Sequence, residues 1–218
     1  MKLGTDAVLL GCLATHPAPT KLLDIGTGSG VIALQLAQRF AEAQVTGLEI
    51  EPGAAAQAER NFKSSAWANR LQVVQADLVE WQPTELFDMI CCNPPYYENS
   101  FPIAEEARRI ARSHTQLSFE QLAKSVAALL KADGYFWVVL PVAGMKKLRS
   151  ELALHGLFPA EIISIFPKEN KVCNREIAAF KKGNNSPEIA RSLSIRAADN
   201  SYTEEYKKLT EAFYLHIK

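Results

Sequence analysis

The sequence predicts an α/β fold with a doubly wound, mostly parallel sheet. Three features predict it: apolar runs of strand length alternate with longer stretches of helical period, a glycine-rich turn follows the first run, and the alternation breaks only near the end. Residues 1–20 read as a helical lead-in, 21–25 as the first strand and 31–40 as the helix after it. Residues 45–50 form a second strand, 54–62 a helix, 71–75 a third strand and 87–92 a fourth. The run 118–130 is helical because Leu122, Val126 and Leu129 or Leu130 repeat at helical spacing. Residues 135–140 make a fifth strand and 145–155 a helix. Two strand-like runs, 161–166 and 176–180, then follow with no helix between them, which predicts a terminal antiparallel pair. Ser201 with Glu204 three residues later announces a last helix through Leu209 and Phe213. The expected organisation is one domain over 1–218, with the core sheet in 21–182 and a C-terminal extension in 183–218.

Composition excludes several classes of function. The 218 residues are 48% hydrophobic, and 24 Lys and Arg balance 24 Asp and Glu, so nucleic acid can be attracted only by a local patch. The four cysteines, Cys12, Cys91, Cys92 and Cys173, form no C-x-x-C pair and fit reduced thiols in the cytoplasm. Residues 7–12 imitate a short export signal, but Asp6 interrupts the apolar run and export is not expected. No segment approaches the roughly 20 apolar residues of a membrane span. His16, His114, His155 and His216 show no metal spacing, so no metal is expected. The oligomeric state is left open, with a monomer as the default.

The segment Asp24-Ile25-Gly26-Thr27-Gly28-Ser29-Gly30 lies where the first strand turns into the first helix, the crevice in which open parallel sheets bind ligands. A dinucleotide fingerprint starting at Gly26 would need glycine where Val31 stands, and there is no Walker lysine. Asp24 repels a pyrophosphate and favours a ligand with cationic groups. Glu49, at the end of the second strand, can accept from ribose hydroxyls, and Asp77, after the third, from an adenine amino group. S-adenosylmethionine, with its sulfonium and ammonium, fits these expectations. The set resembles the Rossmann-like class I methyltransferases, which implies that cofactor and a cofactor-binding role for Asp24, Gly26, Gly28, Gly30, Glu49 and Asp77.

Directly after the fourth strand comes Asn93-Pro94-Pro95-Tyr96, followed by Tyr97. A rigid turn explains two prolines and an aromatic. At the same sheet edge as the glycine loop, the chemistry explains more. A planar amino or amide nitrogen is a weak nucleophile because its lone pair is delocalised. The Asn93 side-chain oxygen and the Pro94 carbonyl can each accept one N–H, turn the lone pair toward a methyl donor and stabilise the growing positive charge. Tyr96 offers a flat face for a base. Asn93, Pro94 and Tyr96 are therefore the candidate catalytic residues, with Pro95 and Tyr97 beside the substrate. The tetrapeptide specifies a nitrogen without saying whose: adenine and glutamine amide both qualify.

Asn93 to Tyr97, Asn-Pro-Pro followed by two aromatics, and two further blocks carry a closer resemblance. Met1-Lys2-Leu3-Gly4-Thr5-Asp6-Ala7-Val8-Leu9-Leu10-Gly11 and the tail Asp199-Asn200-Ser201-Tyr202-Thr203-Glu204-Glu205-Tyr206, continuing to Leu215, resemble the bacterial tRNA(Val) adenine-37-N6 methyltransferases. That family usually carries a stretch ahead of the opening block, and here the chain begins at the block. The resemblance implies methyl transfer to the adenine beside the anticodon, a base already partly unpaired and so cheaper to extrude. It places Thr5 and Asp6 near the methionine end of the cofactor, although a helix-capping role explains them equally well. A tRNA partner needs basic surface, for which Arg108, Arg109 and Arg112 after the motif and Lys168, Lys171 and Arg175 in the loop between the last two strands are the candidates. Lys146, Lys147 and Arg149 read as a solvated helix face. The alternatives are a glutamine methyltransferase of release factors, which typically has a helical substrate domain ahead of its core, a DNA adenine methyltransferase, for whose recognition domain there is little room, and a cofactor-binding RNA module without catalysis, against which the intact tetrapeptide argues.

Overall fold

The computed structural model describes residues 4–95, 117–183 and 188–214. In chain order the described elements are α1 (Thr5–Leu13), β1 (Lys21–Ile25), α2 (Val31–Arg39), β2 (Gln44–Glu49), α3 (Pro52–Lys63), β3 (Leu71–Gln75), β4 (Phe87–Cys92), α4 (Phe119–Leu129), β5 (Leu130–Leu140), α5 (Val142–Leu154), β6 (Leu157–Phe166), β7 (Arg175–Lys182), β8 (Ile189–Ser194) and α6 (Glu204–Thr210). The strands form one sheet in the order β3-β2-β1-β4-β5-β7-β6-β8. Pairing is parallel from β3 through β5, β7 runs antiparallel to both β5 and β6, and β8 is parallel to β6.

Period-two burial divides the strands between two cores, as the pleat requires. Leu22, Met89, Cys91, Trp137 and Val139 face a cluster with α1, α2, α3 and Tyr206 of α6. Leu23, Ile90, Cys92, Phe136 and Val138 face α4 and α5 on the other side. Helix α1 is buried continuously from Val8 to Leu13, so the apolar run that imitates an export signal is core material here. Arg39 Nη1 donates to the carbonyls of Gly11 and Ala14 at 2.6 and 2.7 Å, closing the helix end. At the sheet edge away from the glycine loop, Asp88 accepts from Thr20 N, Lys21 N and Lys131 Nζ at 2.8, 2.8 and 2.6 Å, which ties β1, β4 and the start of β5 together.

Several details differ from the expectations, beginning with β5 and β6, which start at Leu130 and Leu157 and not at residues 135 and 161. The sheet continues past residue 182 into β8, whose Ile-Ala-Arg-Ser-Leu-Ser sequence buries only Leu193 and so carries little strand signal. The antiparallel pair of β6 and β7 therefore does not end the sheet. The last helix starts after Thr203, whose Oγ1 accepts from Tyr206 N at 3.2 Å. Ser201 instead donates to Asp199 through N and Oγ, and Phe213 lies in a turn beyond the helix.

Candidate active site

The strand order reverses between β1 and β4, the switch point at which open sheets hold ligands. Ile25 pairs with Cys92, so Gly26 and Asn93 leave the sheet side by side, on strands about 4.8 Å apart. This register alone joins two motifs that are distant in the chain.

The glycine loop is pinned from behind. Gly26 N and Thr27 N donate to Leu48 O at 2.9 and 3.0 Å, and Gly30 N donates to Thr27 O at 2.8 Å. Gly26, Gly28 and Gly30 take φ of 67, 57 and 87°, a region that glycine enters without strain. A methyl at Gly30 would lie 2.4 Å from the Phe62 ring, whereas one at Gly26 would meet nothing within 4 Å. Gly30 thus permits tight packing, and Gly26 leaves the loop open on the crevice side. Asp24 is fully buried, and its Oδ2 accepts from Thr27 Oγ1 at 2.6 Å and Ala33 N at 3.2 Å. Its Oδ1 has no partner among the described residues. Burial pushes its pKa up to about 7, against the hydrogen bonds from Thr27 and Ala33. The two hydrogen bonds on Oδ2 brace the loop against the start of α2.

Glu49 and Asp77 stand at successive strand ends. Glu49 Oε2 accepts from Gly28 N at 2.9 Å and Oε1 from Glu51 N at 3.0 Å, so the carboxylate reaches from β2 to the glycine loop. Asp77 is exposed, and its Oδ1 accepts from Val79 N at 2.9 Å. Ile50 and Val79, 45% and 44% exposed, add apolar surface beside the two acids that no motif in the sequence marks. An open loop with a left-handed glycine, two carboxylates with spare lone pairs and nearby apolar surface suit an adenosyl group.

Asn93 is half-buried, Pro94 buried and Pro95 exposed. The Asn93 carboxamide makes no hydrogen bond among the described residues, which leaves its oxygen available to a substrate. Tyr96, Tyr97, Arg108, Arg109 and Arg112 lie outside the described residues. The neighbouring Cys91 and Cys92 are fully buried, and burial raises both thiols well above their ordinary pKa, so neither offers a thiolate. Among the described residues no group of three or more His, Cys, Asp and Glu is placed to hold a metal ion.

The basic loop after β6 opens at the same sheet edge. Lys168 donates to Asn200 Oδ1 at 2.8 Å, Lys171 is exposed, and Arg175 Nε pairs with Asp6 Oδ2 at 3.1 Å. Arg175 is thus tied to α1. Gly4, not Thr5 or Asp6, is the N-cap of that helix, and Asp6 sits in its first turn, where a negative charge is favourable. Arg196, Asn200 and Tyr202 join Lys168 in this region; the tail block contains Asn200 and Tyr202, and no motif in the sequence marks Arg196.

Comparison with known proteins identifies the family and the fold. Residues 3–160 match the methyltransferase small domain family. A protein of Bacteroides thetaiotaomicron named tRNA1(Val) (adenine(37)-N6)-methyltransferase is 38% identical over 219 residues, covering 100% of this chain and 92% of its own. A protein of the same name from Pedobacter heparinus is 37% identical, covering 99% of this chain and 92% of its own. Among solved structures, a predicted O-methyltransferase of Agrobacterium tumefaciens superposes with a TM-score of 0.74 at 20% identity, over 98% of this chain and 99% of that one, which shows the shared fold. A glycopeptide N-methyltransferase solved with S-adenosylmethionine gives a TM-score of 0.57 at 13% identity, over 77% of this chain and 89% of that one.

Proposed function

The chain belongs to the tRNA1(Val) (adenine(37)-N6)-methyltransferase family, and from that membership we infer that it transfers a methyl group from S-adenosylmethionine to N6 of adenine 37 in tRNA(Val). The observation that carries the reading is the pairing of Ile25 with Cys92, which brings the glycine loop and Asn93 to one point.

S-adenosylmethionine supplies an electrophilic methyl group on a sulfonium. The residues that would hold it are Gly26 and Gly28, through close backbone approach, Glu49 at the ribose and Asp77 at the adenine amino group, with Ile50 and Val79 as apolar surface. Asp24 acts at one remove, by fixing Thr27 and the start of α2.

The work left to the chain is to make an aryl amine nucleophilic. The Asn93 side-chain oxygen and the Pro94 carbonyl each accept a hydrogen bond from one N6–H, which draws the nitrogen lone pair out of conjugation with the ring. They would also stabilise the positive charge that develops on nitrogen as the N–C bond forms and the methyl–sulfonium bond breaks to leave the neutral thioether S-adenosylhomocysteine, and the surplus proton leaves to solvent. The buried Pro94 ring fixes the backbone, so its carbonyl is oriented before substrate arrives. Tyr96 stacks on the base, with Tyr97 and Pro95 beside it. Lys168 and Lys171 contact the anticodon arm, as do Arg108, Arg109 and Arg112. A tRNA substrate assigns the reaction to the cytoplasm.

Incubation with radiolabelled S-adenosylmethionine and either unmodified tRNA or release factor tests the assignment. Label in tRNA alone is expected. Label in release-factor glutamine would overturn it in favour of amide methylation, and label in neither would leave a binding module.

A further inference from the structure

A cavity of about 260 Å³ lies between the start of α1, the ends of β6 and β8 and the segment 202–206, and its lining includes Thr5, Asp6, Asn174, Arg175, Arg196 and Tyr202. Neither the glycine loop, Glu49, Asp77 nor Asn93 lines it, so it is separate from the crevice at β1 and β4. It nevertheless opens at the same sheet edge. With strands about 4.8 Å apart, β7 and β6 stand roughly 10 and 14 Å from β4. A polynucleotide strand with one base at Asn93 reaches that far within a few nucleotides.

Two cations beside this cavity are held by uncharged oxygens. The Arg196 guanidinium lies 4.1 Å from the Tyr202 ring centroid, and that ring stacks in turn on Tyr206 at 5.0 Å and 17°. Arg196 Nη1 donates to Asn200 O at 2.5 Å, and Lys168 Nζ donates to Asn200 Oδ1 at 2.8 Å. Asn200 serves both because it adopts a left-handed φ of 72° in a turn closed by its own N–H on Ala197 O. The local carboxylates are engaged with other donors: Asp199 accepts from Ser201 N and Oγ, with Lys168 only a minor influence on it, and Glu169 accepts from Ala198 N. Among the described residues neither Arg196 nor Lys168 is in an ion pair. One Arg196 N–H is used out of five donors.

We propose that this cavity is a second nucleotide subsite, in which Arg196 and Lys168 hold a backbone phosphate of the RNA strand carrying the target adenine. Oriented but unneutralised cations are the donor set that a phosphate needs. The cavity beside them takes the ribose and base of that nucleotide, with the guanidinium plane as a stacking surface. At about 260 Å³ it is slightly smaller than a typical drug-sized site, in keeping with a single nucleotide. The proposal rests on tRNA being the substrate.

The test is equilibrium binding of unmodified tRNA(Val) at several salt concentrations by the wild type, Lys168→Gln and Arg196→Gln, with cofactor binding and Tm measured alongside. Each substitution is expected to raise the tRNA Kd roughly tenfold at moderate salt. Each is also expected to lower the slope of log K against log salt by about 1. Arg196 packs on Tyr202, so its variant also reports stability. Lys168→Gln leaves that stack intact and is expected to keep the wild-type Tm and cofactor affinity. An unchanged Kd and slope for Lys168→Gln, with the wild type still methylating tRNA, overturns the subsite alone. A wild type that transfers no methyl group to tRNA overturns the functional reading beneath it.

Discussion

Asn93 and Asp24 share an edge of the sheet and stand in opposite surroundings, one half-buried and the other fully buried. Asn93 leaves its carboxamide unbonded among the described residues and half-buried, which suits the acceptor role proposed for it. Asn93→Ala is expected to lower kcat by on the order of 100-fold while leaving the affinity for S-adenosylmethionine unchanged, because the lost acceptor acts on charge that develops only in the transition state. Titration of cofactor by calorimetry beside single-turnover kinetics checks both halves. Asp24 is fully buried with Oδ2 hydrogen-bonded to Thr27 and Ala33, and its environment sets a pH signature. Burial raises its pKa from the ordinary 3.8 to about 7, so the folded state binds this proton more tightly than the unfolded chain. Its contribution to stability is complete below about pH 4 and is lost as pH rises toward 7. Asp24→Asn removes the titration, so the stability of the variant relative to wild type should rise between about pH 4.5 and about pH 8. Urea midpoints at the two pH values measure it, and a constant difference would contradict the buried ionisation. At Gly30, the left-handed φ and a Phe62 ring only 2.4 Å from where a methyl would stand make alanine costly, by about 1–3 kcal/mol.

At the scale of elements, the sheet separates chemistry from anchorage. The carboxyl ends of the strands carry the glycine loop, Glu49, Asp77 and Asn93, while the opposite edge carries Asp88 with Thr20, Lys21 and Lys131. Burial opposes the Asp88 charge, but these donors prevail and hold its pKa well below the carboxylate range. Asp88→Ala should therefore cost about 2–4 kcal/mol in stability and leave kcat at room temperature unaltered. Denaturant unfolding and steady-state kinetics on the same preparation test this. The same division explains what is legible in the sequence. β1, β3 and β4 are legible to the residue because their apolar runs are compact and bounded by turn residues. β8 is not, because as an edge strand it buries one leucine and its remaining residues look like loop. The start of α6 is ambiguous because Ser201 and Thr203 both suit a cap, and the choice depends on where Ser194 O lies, which Thr203 Oγ1 reaches at 2.6 Å. The glycine loop and the tetrapeptide are legible as motifs. That Asp24 turns inward, and that Arg196 and Lys168 meet at Asn200, depends on side-chain directions set by the tertiary fold, which no local pattern carries.

For the whole molecule, a chain of zero formal charge must bind tRNA through placement of charge and not through its total. On the reading proposed above, Lys168 and Arg196 would supply it at the edge where Asn93 sits, and the near-diffusion steering of a strongly basic protein is not expected. Cofactor binds the folded state alone, so saturating S-adenosylmethionine should raise Tm by the amount its affinity dictates, and Glu49→Ala should abolish most of that shift. The central claim is that Asn93, brought beside the glycine loop by the β1–β4 register, directs a methyl group to one adenine nitrogen of tRNA. The most direct measurement is methyl transfer from labelled cofactor to unmodified tRNA(Val), with the product digested and the modified nucleoside located by mass spectrometry, for wild type and Asn93→Ala. The account predicts N6-methyladenine at position 37 with wild type and almost none with the variant. Methylation at another atom or position, or full activity in Asn93→Ala, would contradict it.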